Sequence, residues 1–324
     1  MAESLETLKN ETKSKVFQKT IANILKGVLE GESLNKGLSR YPKVFNQFFQ
    51  NIVKIGEESG NLEENLNYLA VKLKKDEDLR KKVKGALIYP AMIIILALFI
   101  AFAVTFFILP KITNLFKLLE IELPLATKIL IAFVSFFQKY WLPFLVGLIL
   151  VLLVLKFLQR LKAVRFCLDR LSLSLPFLGK IFRNLNLSFF SRTFFTLLKS
   201  GVPINQTLEI CSETLPNEIY KRNLLLAKSE VEKGEKVSKG LKNFPKNFPA
   251  VFTEMLLVGE RSGNLEDSLS YLAEYYEKET ETTLKDLSTV LEPLLLILVG
   301  IFVGFVAVAI ITPIYRFTGQ LKFR

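Results

Sequence analysis

The segment Gly56–Ala70 reads GEESGNLEENLNYLA, and Gly259–Ala273 reads GERSGNLEDSLSYLA. They differ only at Glu58/Arg261, Glu64/Asp267, Asn65/Ser268 and Asn67/Ser270. The offset, 259 − 56 = 203, also pairs Gly31 with Gly234, Pro42 with Pro245, Tyr68 with Tyr271, Pro90 with Pro293 and Pro110 with Pro313. A register held over that length without a gap reads as a tandem duplication of one unit, a helical module followed by an apolar helix.

Both copies run into an apolar stretch. Ala86–Leu109 carries no charge and exceeds the ~20 residues a membrane helix needs, and Leu294–Thr312 is equally free of charge. Between them Trp141–Leu155 is apolar but short, and Ile129–Phe137 precedes it across Gln138–Lys139. These read as one long helix, with its first part at the outer interface and its second part crossing. Tyr140 and Trp141 then sit at headgroup level, where aromatics concentrate. A short buried helix followed by a short span is the open alternative. The polar N-terminus has no apolar core of the kind a secretory signal carries, so the chain is expected to begin in the cytoplasm as a multi-pass membrane protein.

The expected order is a cytoplasmic helical module (1–85), a first transmembrane helix (86–109), an outer loop (110–128) and an interfacial segment with the second transmembrane helix (129–157). A second helical module (158–292), a third transmembrane helix (293–313) and an outer tail (314–324) complete it. The fold class is an all-α membrane protein with two homologous helical-bundle modules and three spans. Lys156, Arg160, Lys162 and Arg165 agree with that topology, while Arg316, Lys322 and Arg324 in the tail oppose it. The net charge of +12 lies largely beside the apolar stretches, including the run Lys72–Lys84. That placement argues for a bilayer partner and against nucleic acid.

In the second module, LSFFSRTFFTLLKS and the stretches after it are apolar at helical spacing, with Pro203 near the first turn of a helix. The repeated phrase reads as a helix–turn–helix corner. One helix ends near Ser59-Gly60, Asn61 caps the next, and Glu64 can close a capping box; Ser262, Gly263, Asn264 and Asp267 repeat the pattern. Gly56, Leu62, Gly259 and Leu265 complete the motif. Glu57 and Glu260 have no local capping duty, which leaves a neighbouring corner or a partner surface as their target. Pro90 and Pro293 are placed in the opening turn of their spans, where proline is tolerated, or as fixed angles between module and membrane helix. Gly300 and Gly304 form a GxxxG packing candidate.

Catalytic chemistry has little to work with. The chain has no histidine, and Cys167 and Cys211 make no CxxC pair. GxxxxGK[ST], HExxH and GxSxG are all missing. We therefore expect no enzyme activity, cofactor or metal. A divalent cation at Glu63, Glu64, Glu266 and Asp267 is a weaker reading than helix caps. A small transporter is disfavoured by first and third spans without ionisable residues, whereas a helical adaptor of another membrane complex stays open.

The doubled corner, together with LPFLGK (Leu175–Lys180) and LLKSGVPINQTLEI (Leu197–Ile210), resembles the type II secretion F / type IV pilus C family of inner-membrane platform proteins. The resemblance covers nearly the whole chain and adds Gly179, Gly201 and Pro203 as second-module motif residues. It implies a non-enzymatic machine part, a homo-oligomer by family habit. Such a part couples a hexameric cytoplasmic assembly ATPase to pilin or pseudopilin subunits, among other inner-membrane assembly proteins. One departure is expected: subtracting 203 from LLKSGVPINQTLEI reaches the start of the chain, so the first module should lack two helices and the family's N-terminal arm. An apolar face at Ile21, Ile24, Leu25 and Val28 should then be exposed, covered by another subunit or by residues upstream of Met1.

Overall fold

The computed structural model describes residues 1–108, 110, 125–158, 161–175 and 178–321, and every regular element among them is helical. The first copy holds α1 (Ala2–Glu11), α2 (Lys15–Leu29), α3 (Leu34–Ser39), α4 (Gln47–Ser59) and α5 (Leu62–Ala103), followed by a π-helical segment, Val104–Ile108. Then come α6 (Leu125–Leu158), α7 (Lys162–Ser174), α8 (Leu178–Lys199), α9 (Ile204–Thr214) and α10 (Glu218–Glu232). The last three are α11 (Val237–Lys242), α12 (Ala250–Ser262) and α13 (Leu265–Leu321).

Local chemistry sets many of these limits. Ser14, Ser33 and Asn46 stand at the N-caps of α2, α3 and α4, and each accepts a hydrogen bond from an amide of the first turn. Asn217 does the same for α10, and Asp169 of α7 accepts a further bond from the Glu218 amide at 2.8 Å. The helix limits of α2, α3 and α4, moved by 203, coincide with those of α10, α11 and α12, and the start of α5 coincides with that of α13. Moved likewise, α1 covers 205–214, against Ile204–Thr214 for α9.

The chain divides into two compact units. One takes 1–81 and 166–283; the other takes the described residues of 82–165 and 284–324. In the first unit a single large core gathers on α8. Phe190 lies 5.4 Å from Phe194 and 5.9 Å from both Phe248 and Phe252, ring centroid to ring centroid. Phe48, Ile52 and Leu69, from the first copy, belong to this same core. A smaller cluster of Ile21, Ile24, Leu34, Leu38, Phe45 and Val53 lies under α1, with Leu5, Phe17 and Leu62 packed against it. In the other unit, Ile94, Ala97, Leu98 and Ile100 of α5 line one cavity of about 280 Å³ with Leu295, Leu298, Val299 and Phe302 of α13.

Three expectations are corrected here. Ile21, Ile24 and Leu25 are buried, and Val28 is half-buried. The face is covered because α1 packs on α2 through Leu5 and because α3 folds back with Leu34 and Leu38. At the offset of 203, α1 occupies the register of α9, one of the two helices expected to be missing. Pro90 and Pro293 are not in opening turns either. Each stands 28 residues inside a continuous helix (90 − 62 = 28; 293 − 265 = 28), where the proline ring removes one backbone donor without ending the helix.

Two helices, Leu62–Ile100 and Leu265–Val308, are long and apolar enough to cross a membrane. α6 continues unbroken through Gln138–Lys139, and its strongly apolar window, Leu142–Val151, is shorter. Residues 111–124 of the expected outer loop, Arg160, Pro176–Phe177 and Lys322–Arg324 lie outside the described residues, as do the side chains of Trp141, Lys156, Lys162 and Arg316.

Candidate functional site: a doubled helix corner

Each corner is built from two glycines, a glutamate and the start of the next helix. α4 ends at Ser59, and Gly60 at φ 76° turns the chain; in the second copy α12 ends at Ser262 and Gly263 takes φ 73°. That left-handed region suits glycine because a Cβ would crowd the backbone. The Gly263 and Asn264 amides both donate to the Gly259 carbonyl, closing the last turn. Ser59 Oγ donates to the Ile55 carbonyl at 2.7 Å and Ser262 Oγ to the Gly259 carbonyl at 3.3 Å.

Gly56 and Gly259 are needed for a different reason, since the next helix crosses directly over them. A Cβ on Gly56 would lie 3.0 Å from the Leu62 Cα and 3.0 Å from Asn65 Nδ2. One on Gly259 would lie 2.5 Å from Ser268 Oγ and 3.1 Å from the Leu265 Cα. Leu62 and Leu265 then pack their side chains against the smaller and the larger core respectively.

The glutamates find their partners far along the chain. The Glu57 carboxylate accepts from the Leu34 amide at 2.5 Å and the Asn35 amide at 2.9 Å, the first turn of α3. Glu260 accepts from the Val237 amide at 2.6 Å and the Ser238 amide at 3.3 Å, the first turn of α11, and also from the Ser238 hydroxyl. A carboxylate at a helix N-terminus meets unsatisfied amides and the positive end of the dipole. In α3 the Ser33 hydroxyl shares the task, accepting from Lys36 N at 3.3 Å. In α11 the N-cap residue is Lys236, which makes no side-chain cap, so Glu260 supplies one from α12. Each glutamate therefore ties the helix before the corner to the short helix before it.

The reciprocal capping boxes do not form among the described residues. Glu64 accepts instead from the Tyr68 hydroxyl at 2.5 Å, and Asp267 from the Asn264 side-chain amide at 2.6 Å. The Glu64 bond, followed by burial, raises the Tyr68 pKa above the ordinary phenol value; Lys199 opposes the rise and Glu266 adds to it. Glu266 pairs with Lys199 at 3.3 Å. No group of three His, Cys, Asp or Glu side chains among the described residues could hold a metal ion.

The second-module motif residues lie at the ends of α8. A Cβ on Gly179 would come within 2.4 Å of the Leu173 carbonyl oxygen, so α7 and α8 meet there backbone to backbone. Gly201, at φ 85°, follows α8, with Val202 N bonded to the Leu197 carbonyl at 3.0 Å; Pro203 stands at the N-cap of α9. Sequence reasoning missed two partly buried ion pairs. Arg192 on α8 meets Glu277 on α13 at 2.5 Å, and Lys72 meets Asp76 at 2.6 Å while lying 4.7 Å over the Phe48 ring. Lys72 is therefore not part of a solvated charge run. Its helical position beside Leu69, on the face that joins the large core, was the available signal.

Fold and site together define an all-helical chain with a core-forming helical unit, two long apolar helices and a corner written twice. The family described as "Type II secretion system (T2SS), protein F" matches residues 1–110 and 190–313, and the chain belongs to that family. It is 30% identical over 322 residues to the type IV pilus assembly protein PilC of Thermus thermophilus, covering 99% of this chain and 79% of that one. It is 31% identical over 301 residues to PilC of Pseudomonas aeruginosa, covering 93% and 80%. It is 29% identical over 322 residues to type II secretion system protein F of Vibrio cholerae, covering 99% and 79%.

Proposed function

We propose that the chain is a non-enzymatic, multi-pass inner-membrane platform with its N-terminus in the cytoplasm. It serves a type IV pilus, a competence pseudopilus or a type II secretion system, and couples a hexameric cytoplasmic ATPase to the extraction and assembly of pilin or pseudopilin subunits. The observation that carries this is the family match over both copies, from the helical module into the apolar helix each time. Relatives named for pilus assembly and for type II secretion lie at similar identity, so both kinds of machine belong to the reading.

The tandem duplication belongs to the proposal and draws support from coincident helix limits at an offset of 203 and from the glutamate bonds made twice. So does the count of three spans, with α6 as the second. Mechanically, the corners hold the angle between each soluble helix pair and the long helix that follows. A tagged chain purified in mild detergent should bring down an assembly ATPase and a prepilin-like subunit, identified by mass spectrometry. Recovery of neither, from folded protein, overturns the platform role.

A further inference from the structure

The two faces of α7 differ in character. On one, the Asp169 carboxylate accepts from the Glu218 amide at 2.8 Å, at the start of α10, and Leu173 packs against the large core. The end of the helix is held too, where Leu173 and Gly179 meet backbone to backbone. At about 3.6 residues per turn, Val164, Cys167, Leu168, Leu171 and the following Leu175 fall on the opposite side. The Leu175 amide bonds the Leu171 carbonyl at 3.2 Å, so the helical turn carries on to it. Leu171 is 57% exposed and Leu175 40%, Cys167 is exposed, and Val164 and Leu168 are half-buried.

The borders of this apolar stripe are basic. Arg165 and Arg170 are exposed and fall on its two edges at helical spacing. Asp169, the one acid in α7, is turned to the docked face. An occupant of the stripe therefore meets leucines between arginines and no carboxylate of α7. The chain also reaches this face directly from an apolar helix, since α6 ends at Leu158 and α7 begins at Lys162. An apolar stripe edged with cations and running on from such a helix suits an anionic bilayer surface. Its leucines enter the headgroup boundary while the guanidinium groups meet lipid phosphates.

We propose that α7 is an interfacial helix, lying in the plane of the membrane with Cys167, Leu171 and Leu175 in the headgroup boundary of an anionic leaflet. The proposal rests on the multi-pass membrane reading above and goes beyond it. Through Asp169 and Leu173 the same helix holds the second module, which is then tied to the bilayer surface here as well as through α13.

The test labels the full chain at Cys167 with an NBD fluorophore in detergent, where Cys211 is buried, and reconstitutes it in phosphatidylcholine vesicles with or without phosphatidylglycerol. Lipids carrying a nitroxide near the headgroup should quench the label more than lipids carrying it at the chain end. Leu171→Glu with Leu175→Glu should make the label severalfold more open to aqueous iodide. Arg170→Glu should weaken lipid quenching in the anionic vesicles and leave it unchanged in the neutral ones. All three side chains are exposed, so thermal unfolding should stay unchanged. Ready quenching of the wild-type label by iodide, an unaffected double variant or an unaffected Arg170→Glu would each overturn the proposal. So would shielding from iodide without lipid quenching, which would mean that protein covers the face. Ile95→Cys in a Cys167→Ser chain tests the membrane reading separately, because Ile95 is 65% exposed in the apolar part of α5. Its label should be quenched most by the chain-end nitroxide. A deep label at residue 95 with a Cys167 label in water sinks the interfacial helix alone, whereas a residue 95 label in water removes the membrane reading and the proposal with it.

Discussion

Glu260 caps a helix that has no cap of its own, and that sets the energetic difference between the two copies. Glu260→Ala strands two first-turn amides and the Ser238 hydroxyl, and should lower stability by about 1–3 kcal/mol, the range for leaving a buried donor unsatisfied. Glu57→Ala should cost less, because Ser33 still caps α3. Glu260→Gln should recover part of the loss. Thermal unfolding of the solubilised protein ranks the three. Gly259→Ala should cost about 1–3 kcal/mol by overpacking against Ser268 and Leu265, with relief when Ser268→Gly is added. The cysteines give a check on burial. Cys211 is buried and its thiol is pushed well above the ordinary value by desolvation, whereas Cys167 is exposed. Iodoacetamide should add one label to the native chain, at Cys167, and two after denaturation, as read by peptide mass.

At the scale of elements, α8 carries both the aromatic centre of the large core and an ion pair across to α13. Arg192 and Glu277 keep 7% and 15% of their side chains exposed, so truncating one leaves a charge buried without its partner. Arg192→Ala should cost about 3–5 kcal/mol, while Arg192→Met with Glu277→Leu should stay within a kcal/mol or so of wild type. Urea unfolding of the single and double variants tests this, and a small loss in the single variant would mean that water reaches the pair. The same elements show what a linear reading can reach. The ends of α4 and α12 were legible because an αL glycine marks them locally. The partners of Glu57 and Glu260 were not, because the amides lie 23 residues away and are brought near only by tertiary folding. The burial of Ile21 and Ile24 was misjudged because α1, AESLETLKNE, is polar on all but a narrow stripe, and Leu5 on that stripe supplies the contact to their cluster. Pro90 misled because proline is read as a helix boundary, yet here the helix runs through it.

For the whole molecule the deciding quantity is the parity of the membrane crossings. α5 and α13 meet the length and apolarity that a span requires, whereas the apolar window of α6, Leu142–Val151, falls short of the ~20 residues needed. The helix around that window is 34 residues, about 50 Å at 1.5 Å per residue, and so exceeds the ~30 Å hydrocarbon layer. Between Ile129 and Leu155 its one charged residue is Lys139, whose ammonium lies 5.4 Å over the Tyr140 ring. A lysine near one end of a span can reach the headgroups along its own stem, which avoids most of the ~2.5–3.5 kcal/mol it would cost at mid-bilayer. If α6 crosses, as proposed, the count is three and the two chain ends lie on opposite sides. Alkaline phosphatase fused after Arg324 should then be active, and green fluorescent protein fused before Met1 should fluoresce. If α6 lies along the surface instead, two crossings return the C-terminus to the cytoplasm, the phosphatase stays silent, and Arg316, Lys322 and Arg324 fall on the side that basic residues favour.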